Sequence, residues 1–244
     1  MKIEYNGRII EFDFTKRKRK TICIKVNLDG KVSVIAPLNI KESQAEDFVY
    51  EKAQWIIKKQ DEMLNISKQK VSRKFENGST FMYLGEEYPV HIIYDESYKN
   101  IRIVLSGKTL KSPYDCQHFI IYTNTYEKEV MRKAMEKWYR KRTMEIVQKK
   151  IQIYEVFFKD KVTDIRVKEQ KRRWASCTGK NAILFNWRCS MAREDVIEYI
   201  VVHEMCHFDY RDHSKNFWRR VEEIMPDYKE KHEYLKENGM NMYI

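Results

Sequence analysis

The sequence predicts an α+β fold, with a β-rich region with one bracing helix over residues 1–125 and a mainly helical region over residues 126–244. Three observations carry this reading. Short runs of alternating apolar and polar residues recur as far as about residue 122. From about Glu127 the apolar residues recur instead at three- and four-residue intervals among charged ones. A His-Glu-x-x-His segment at 203–207 then has the spacing that a helix brings onto one face.

Taken in order, residues 3–14, 21–26 and 31–36 alternate as strands do, and Asp29-Gly30 supplies a hairpin turn between the last two. A helix starting near Ser43 interrupts them. It sets Ala45, Phe48, Val49, Trp55, Ile56 and Leu64 close to helical spacing and is expected to brace the sheet. Residues 80–84, 88–94, 101–105 and 119–122 again read as strands. After Glu127 a long helix places Val130, Ala134, Trp138, Met144 and Val147 among charged positions. Strands over 162–168 and 183–187 follow. A helix begins near Arg193, with Val196, Ile197, Ile200 and Val201 facing a core, and one or two helices close the chain.

Composition supports an ordered chain throughout: 244 residues, 43% hydrophobic and 13% aromatic, with seven Gly and four Pro, and no low-complexity tract. The first residues contain no apolar signal segment, and no apolar run reaches the length of a membrane span, so a cytoplasmic location and no membrane partner are expected. Five scattered cysteines, odd in number and never spaced as CxxC, read as reduced thiols. Cys206 inside the His-Glu-x-x-His segment and Cys177 upstream of it read as packing residues. The formal net charge of +11 favours acidic partners, nucleic acid among them, without requiring them. Two basic runs stand out. Residues 16–20 read as the solvated flank of an edge strand; residues 168–173 lead towards the presumed cleft. Neither matches a nucleic-acid-reading module.

Residues four apart on a helix lie nearly above one another, so His203 and His207 can offer two imidazoles to one metal ion, with Glu204 beside it. A catalytic zinc takes three protein ligands and keeps an open position for water. His213, six residues after His207, is the candidate third ligand. On a continuing helix it would point away from the ion, so the helix is expected to stop within a turn of His207. The spacing equals that of HExxHxxGxxH, but Tyr210 stands where that signature turns on glycine. A left-handed or otherwise irregular residue is therefore expected among Asp209, Tyr210, Arg211 and Asp212. With three neutral His ligands, Zn²⁺ would activate water and Glu204 would act as general base for attack on a carbonyl.

Around this motif lie Arg173-Trp174-Ala175-Ser176-Cys177, then residues 182–187 (AILFNW), then the approach to His203, and downstream His213-Ser214-Lys215-Asn216-Phe217-Trp218 and Met225-Pro226-Asp227-Tyr228. The series resembles the YgjP-like metallopeptidase family, which is similar to the SprT and WLM zincins. Members usually carry WGSC where this chain has Ala175, and commonly a proline where it has Arg193; neither departure touches a proposed ligand. The resemblance implies a zincin-like catalytic domain over 126–244, a protein or peptide substrate, and pairing of that substrate along an edge strand, for which residues 183–187 are the candidate. Substrate-binding candidates are Arg173, Trp174, Asn186 and Tyr210. For an oxyanion donor, Arg173, Tyr210, Tyr228 and His232 stay open, as do Asp209 and Asp212 for outer support of the histidines. The alternative is a nucleic-acid-associated module whose zinc site is structural or acts on DNA-bound proteins.

Overall fold

The computed structural model describes residues 1–27, 29–69, 73–106, 117–170 and 173–244, the side chains of 62–69 excepted. Leu64, Cys116, Lys171 and Arg172 therefore lie outside what is described below. The fold is α+β and divides into two compact units, Met1–Lys70 and Val71–Ile244.

The first unit is a four-stranded sheet, in the order β1-β2-β4-β3, with two helices. The expected strand over 3–14 is two strands, β1 (Lys2–Tyr5) and β2 (Arg8–Lys16), because Asn6 and Gly7 both take positive φ, 49° and 75°, and close a two-residue hairpin. β3 (Cys23–Val26) pairs antiparallel with β4 (Val32–Ala36) around the Asp29-Gly30 turn, and β4 runs parallel to β2. The single expected helix is likewise two, α1 (Glu42–Glu51) and α2 (Ala53–Gln69). Ala45, Val49, Ala53 and Ile56 pack on Ile10, Phe12, Val32 and Val34, while Trp55 points outward, 49% exposed.

The second unit holds a four-stranded sheet, β5 (Thr80–Tyr83), β6 (Glu86–Tyr94), β7 (Arg102–Leu105) and β8 (Phe119–Thr123), in the order β5-β6-β8-β7. It also holds a three-stranded sheet, β10-β11-β9, made of β9 (Asp164–Lys168), β10 (Ala175–Cys177) and β11 (Ala182–Asn186). Its helices are α3 (Lys128–Tyr154), α4 (Glu194–Cys206), α5 (Lys215–Ile224) and α6 (Tyr228–Asn238). The units divide near residue 70 rather than 125. The reason is packing: Phe81, Val90, Phe119 and Ile121 from the first of these sheets share one buried cluster with Met131, Met135 and Trp138 of α3 and with the apolar face of α4. The buried seam of α3 runs through Met131, Met135, Trp138, Tyr139, Thr143 and Val147; of the expected face Trp138 and Val147 are buried, Ala134 and Met144 half-buried, and Val130 exposed.

Two features fix where α4 begins. β11 runs into a 3₁₀ turn, Trp187–Met191, in which Asn186 accepts a hydrogen bond from the Arg188 amide. The β5–β6 turn, Leu84-Gly85, then donates its two amides to the Ser190 and Met191 carbonyls at 2.9 and 3.0 Å. Gly85 is required there twice over: its φ is +87°, and a Cβ would stand 2.6 Å from Arg193 Cγ. From Arg193 onward α4 buries Val196, Ile197, Ile200 and Val201, the face its periodicity predicts. No helix among the described residues is long and apolar enough to cross a membrane.

Candidate metal centre

α4 ends at Cys206, with His207 as its capping residue, so the helix stops where a converging third histidine requires. The histidine rings of 203, 207 and 213 then gather, with centroids 5.3, 5.1 and 4.8 Å apart pairwise, and one nitrogen from each lies within 4.8 Å of the others. His203 Nε2 and His213 Nε2 face each other at 3.1 Å. Two nitrogens on one tetrahedral zinc would stand about 3.3 Å apart, given zinc–nitrogen distances of about 2.0–2.1 Å. The donor set therefore fits a single cation. His207 Nδ1 lies 3.0 Å from the Tyr210 carbonyl, which accepts its proton and leaves the Nε2 lone pair free for a ligand role. His203 Nδ1 is buried with no hydrogen-bond partner among the described residues.

The rings are held from below by Phe217, fully buried, which stacks on His207 at 4.6 Å and meets His203 and His213 edge-on at 5.0 and 4.8 Å. Trp218 lies 5.6 and 5.8 Å from His203 and His213. Burial lowers the His203 pKa to about 3, reinforced by the neighbouring imidazoles of 207, 213 and 232, and burial lowers that of His207 also. Both are thus neutral at pH 7, the form that binds a metal.

Of the two expected ways to turn between His207 and His213, a left-handed or an otherwise irregular residue, the left-handed one is not used: none of residues 207–213 has positive φ. Instead the helix end tightens. Phe208 and Asp209 donate to the carbonyls three residues back, Met205 and Cys206, and Tyr210 donates to Cys206 at 3.0 Å. Asp209 is paired with Arg220 at 2.8 Å, Asp212 accepts from the Ser214 amide at 3.0 Å, and Ser214 caps α5 through the Phe217 amide. Neither aspartate contacts a histidine of the cluster in these bonds; the outer support of His207 comes from a backbone carbonyl, which no sequence motif signals.

Glu204, 6% exposed, lies on α4 beside β10, where the Cys177 backbone amide favours its charged form. Burial raises its pKa to about 8, against the pull of that amide and of the Arg173 charge. β10 is one of the two edge strands of its sheet and lies beside α4, whereas β11, the expected edge, is central between β10 and β9. Only long-range pairing decides that order. Ala175 sits in β10 with no positive φ, so the usual glycine is not needed there for backbone reasons.

Of the remaining candidates, Arg173 is exposed and acts on Glu204 through its charge. Trp174 is half-buried, its ring under the Arg188 guanidinium at 5.4 Å. Tyr210 is half-buried and contributes its carbonyl. Tyr228 and His232 stack on Trp218 at 5.5 and 5.8 Å, one ring beyond the histidine cluster. Cys206 is fully buried and its thiol is pushed up to about 12; burial raises the Cys177 thiol as well, so both are protonated packing groups at neutral pH.

Asn186 does not face a cleft. It is fully buried, donates to the Gln170 and Arg173 carbonyls at 2.7 and 3.0 Å and accepts from Arg188. Asn186→Ala is accordingly expected to destabilise the protein by on the order of 3 kcal/mol, since buried acceptors lose their donors. A denaturant midpoint equal to the parent's would contradict this assignment.

These features together define a metallohydrolase. The chain belongs to the YgjP-like metallopeptidase family, whose domain model matches residues 20–238. Among solved structures it is similar to the crystal structure of the metallopeptidase zymogen of Pyrococcus abyssi abylysin, at 22% identity over 41% of this chain and 98% of that one, with a TM-score of 0.33. No curated protein matches the chain.

Proposed function

We propose that the chain is a zinc-dependent metallopeptidase in which His203, His207 and His213 hold the metal and Glu204 is the general base. The observation that carries this reading is the convergence of three imidazoles on one point, with the buried Glu204 next to His203 on α4. A zinc ion held there supplies Lewis acidity, acidifying water and polarising the scissile carbonyl. Glu204 takes the proton from the attacking water and delivers it to the leaving amine. The Cys177 amide favours the charged form of the carboxylate, the form that accepts the proton. β10, at the sheet edge beside α4, is the strand on which a substrate backbone would pair, in place of residues 183–187. Pairing of that kind reads backbone groups, which suits an extended peptide or an unfolded protein.

The test is proteolysis of an unfolded protein by zinc-loaded enzyme. Fragments are expected to appear, to cease with a chelator and to return with added zinc. Cleavage that a chelator leaves untouched, or its absence under all metal loadings, would contradict the proposal.

A further inference from the structure

We propose that Arg211 is the positioning residue of the third metal ligand, an inference that rests on His213 being that ligand. His213 is exposed and stands on an irregular loop between α4 and α5, where no helix holds its backbone. A ligand on such a loop binds tightly only if the loop is already in place, because ordering it at the moment of binding costs affinity. Two residues before His213, the Arg211 guanidinium reaches across to the turn between β10 and β11. It donates to the Thr178 carbonyl at 2.8 Å and to Asn181 Oδ1, with Cys177 Sγ at 3.6 Å. Among the described hydrogen bonds, the other side-chain contacts of the loop run within itself, to α5, or from His213 to its fellow histidine His203 on α4. The link to the sheet is Arg211's.

The anchor is rigid. The Thr178 amide donates to the Ala182 carbonyl at 2.9 Å, the Asn181 amide donates to the Thr178 carbonyl at 3.0 Å, and Asn181 occupies the left-handed region with φ of 58°. A planar guanidinium can address two acceptors together, which a single ammonium does less well. The same hairpin carries β10, which packs beside α4 and its Glu204. Arg211 therefore ties the loop of the third ligand to the strand next to the general base, so that metal ligand and base share one frame.

The experiment measures zinc affinity of the full-length metal-free protein by competition with a chromophoric chelator, and the visible spectrum on cobalt(II) titration. Arg211→Ala is expected to weaken zinc by about 10-fold or more, the range typical of outer supports of metal ligands, and to change the cobalt spectrum. Arg211→Lys should recover part of the loss. Asn181→Gly, which keeps the positive φ but removes one acceptor, should weaken zinc less than Arg211→Ala. Combining it with Arg211→Ala should add nothing, as for two halves of one contact. Should Arg211→Ala not fold, the lysine and glycine variants carry the test. Affinity and cobalt spectrum equal to the parent in the Arg211 variants, with His213→Ala clearly weakened, would overturn the positioning role and leave the ligand set standing. His213→Ala as tight as the parent would remove the third ligand itself, and this inference with it.

Discussion

Glu204→Gln is expected to lower hydrolysis of an unfolded protein by about 10²–10⁴-fold while zinc content and fold stay those of the parent. Gln has nearly the same size and keeps a hydrogen-bonding oxygen, but it cannot take a proton from water. The substitution also replaces a buried acid by a neutral group, so a loss of rate cannot be traced to unfolding. Steady-state rates at matched zinc occupancy, with thermal unfolding alongside, are the measurement. A variant that cleaves at the parent rate with zinc bound would show that Glu204 is not the base.

Single replacement of His203 or His207 by Ala is expected to weaken zinc by on the order of 10²–10³-fold. Structural zinc sites bind with about 10–16 kcal/mol, and one ligand's share of that is several kcal/mol. His203 lies on the last turn of α4 and His207 caps it, both over Phe217, and burial keeps them neutral, so little besides the metal is lost with them. His203→Ala should even relieve a buried, unpartnered Nδ1, leaving the metal-free protein no less stable. Zinc competition titrations on each variant check the first point, and melting of the metal-free forms checks the second.

What was legible in the sequence is local. The spacing of His203, Glu204 and His207 and the buried face of Val196, Ile197, Ile200 and Val201 follow from helix geometry alone, and the structure shows both on α4. The helix stop near His207 followed from the need to turn His213 back. How it stops stays open in the sequence between a left-handed and an otherwise irregular residue, with no glycine needed; 3₁₀-type bonds from Phe208 and Asp209 turn the chain without any positive φ. Sheet order was out of reach, because β10 is three residues long and its place at the edge depends on pairing with β11 and on β9 arriving from the other side. Asn186 illustrates the same limit. A polar residue on an apolar strand reads as a site residue until the carbonyls of Gln170 and Arg173 are seen to surround it. The unit boundary moved from 125 to about 70 for a comparable reason: the inner face of β5–β8 is completed by α3, a contact no window of sequence contains. Asn6-Gly7, by contrast, was a readable turn signal inside what looked like one long strand.

The central claim is that three histidines and one metal ion form the working site. Its most direct test is the zinc content of purified protein after saturation and removal of loosely held metal, measured by elemental analysis for the parent and for a variant with His203, His207 and His213 all replaced by Ala. The account predicts one zinc per parent chain and none above background in the variant. Equal zinc in the two proteins would contradict it.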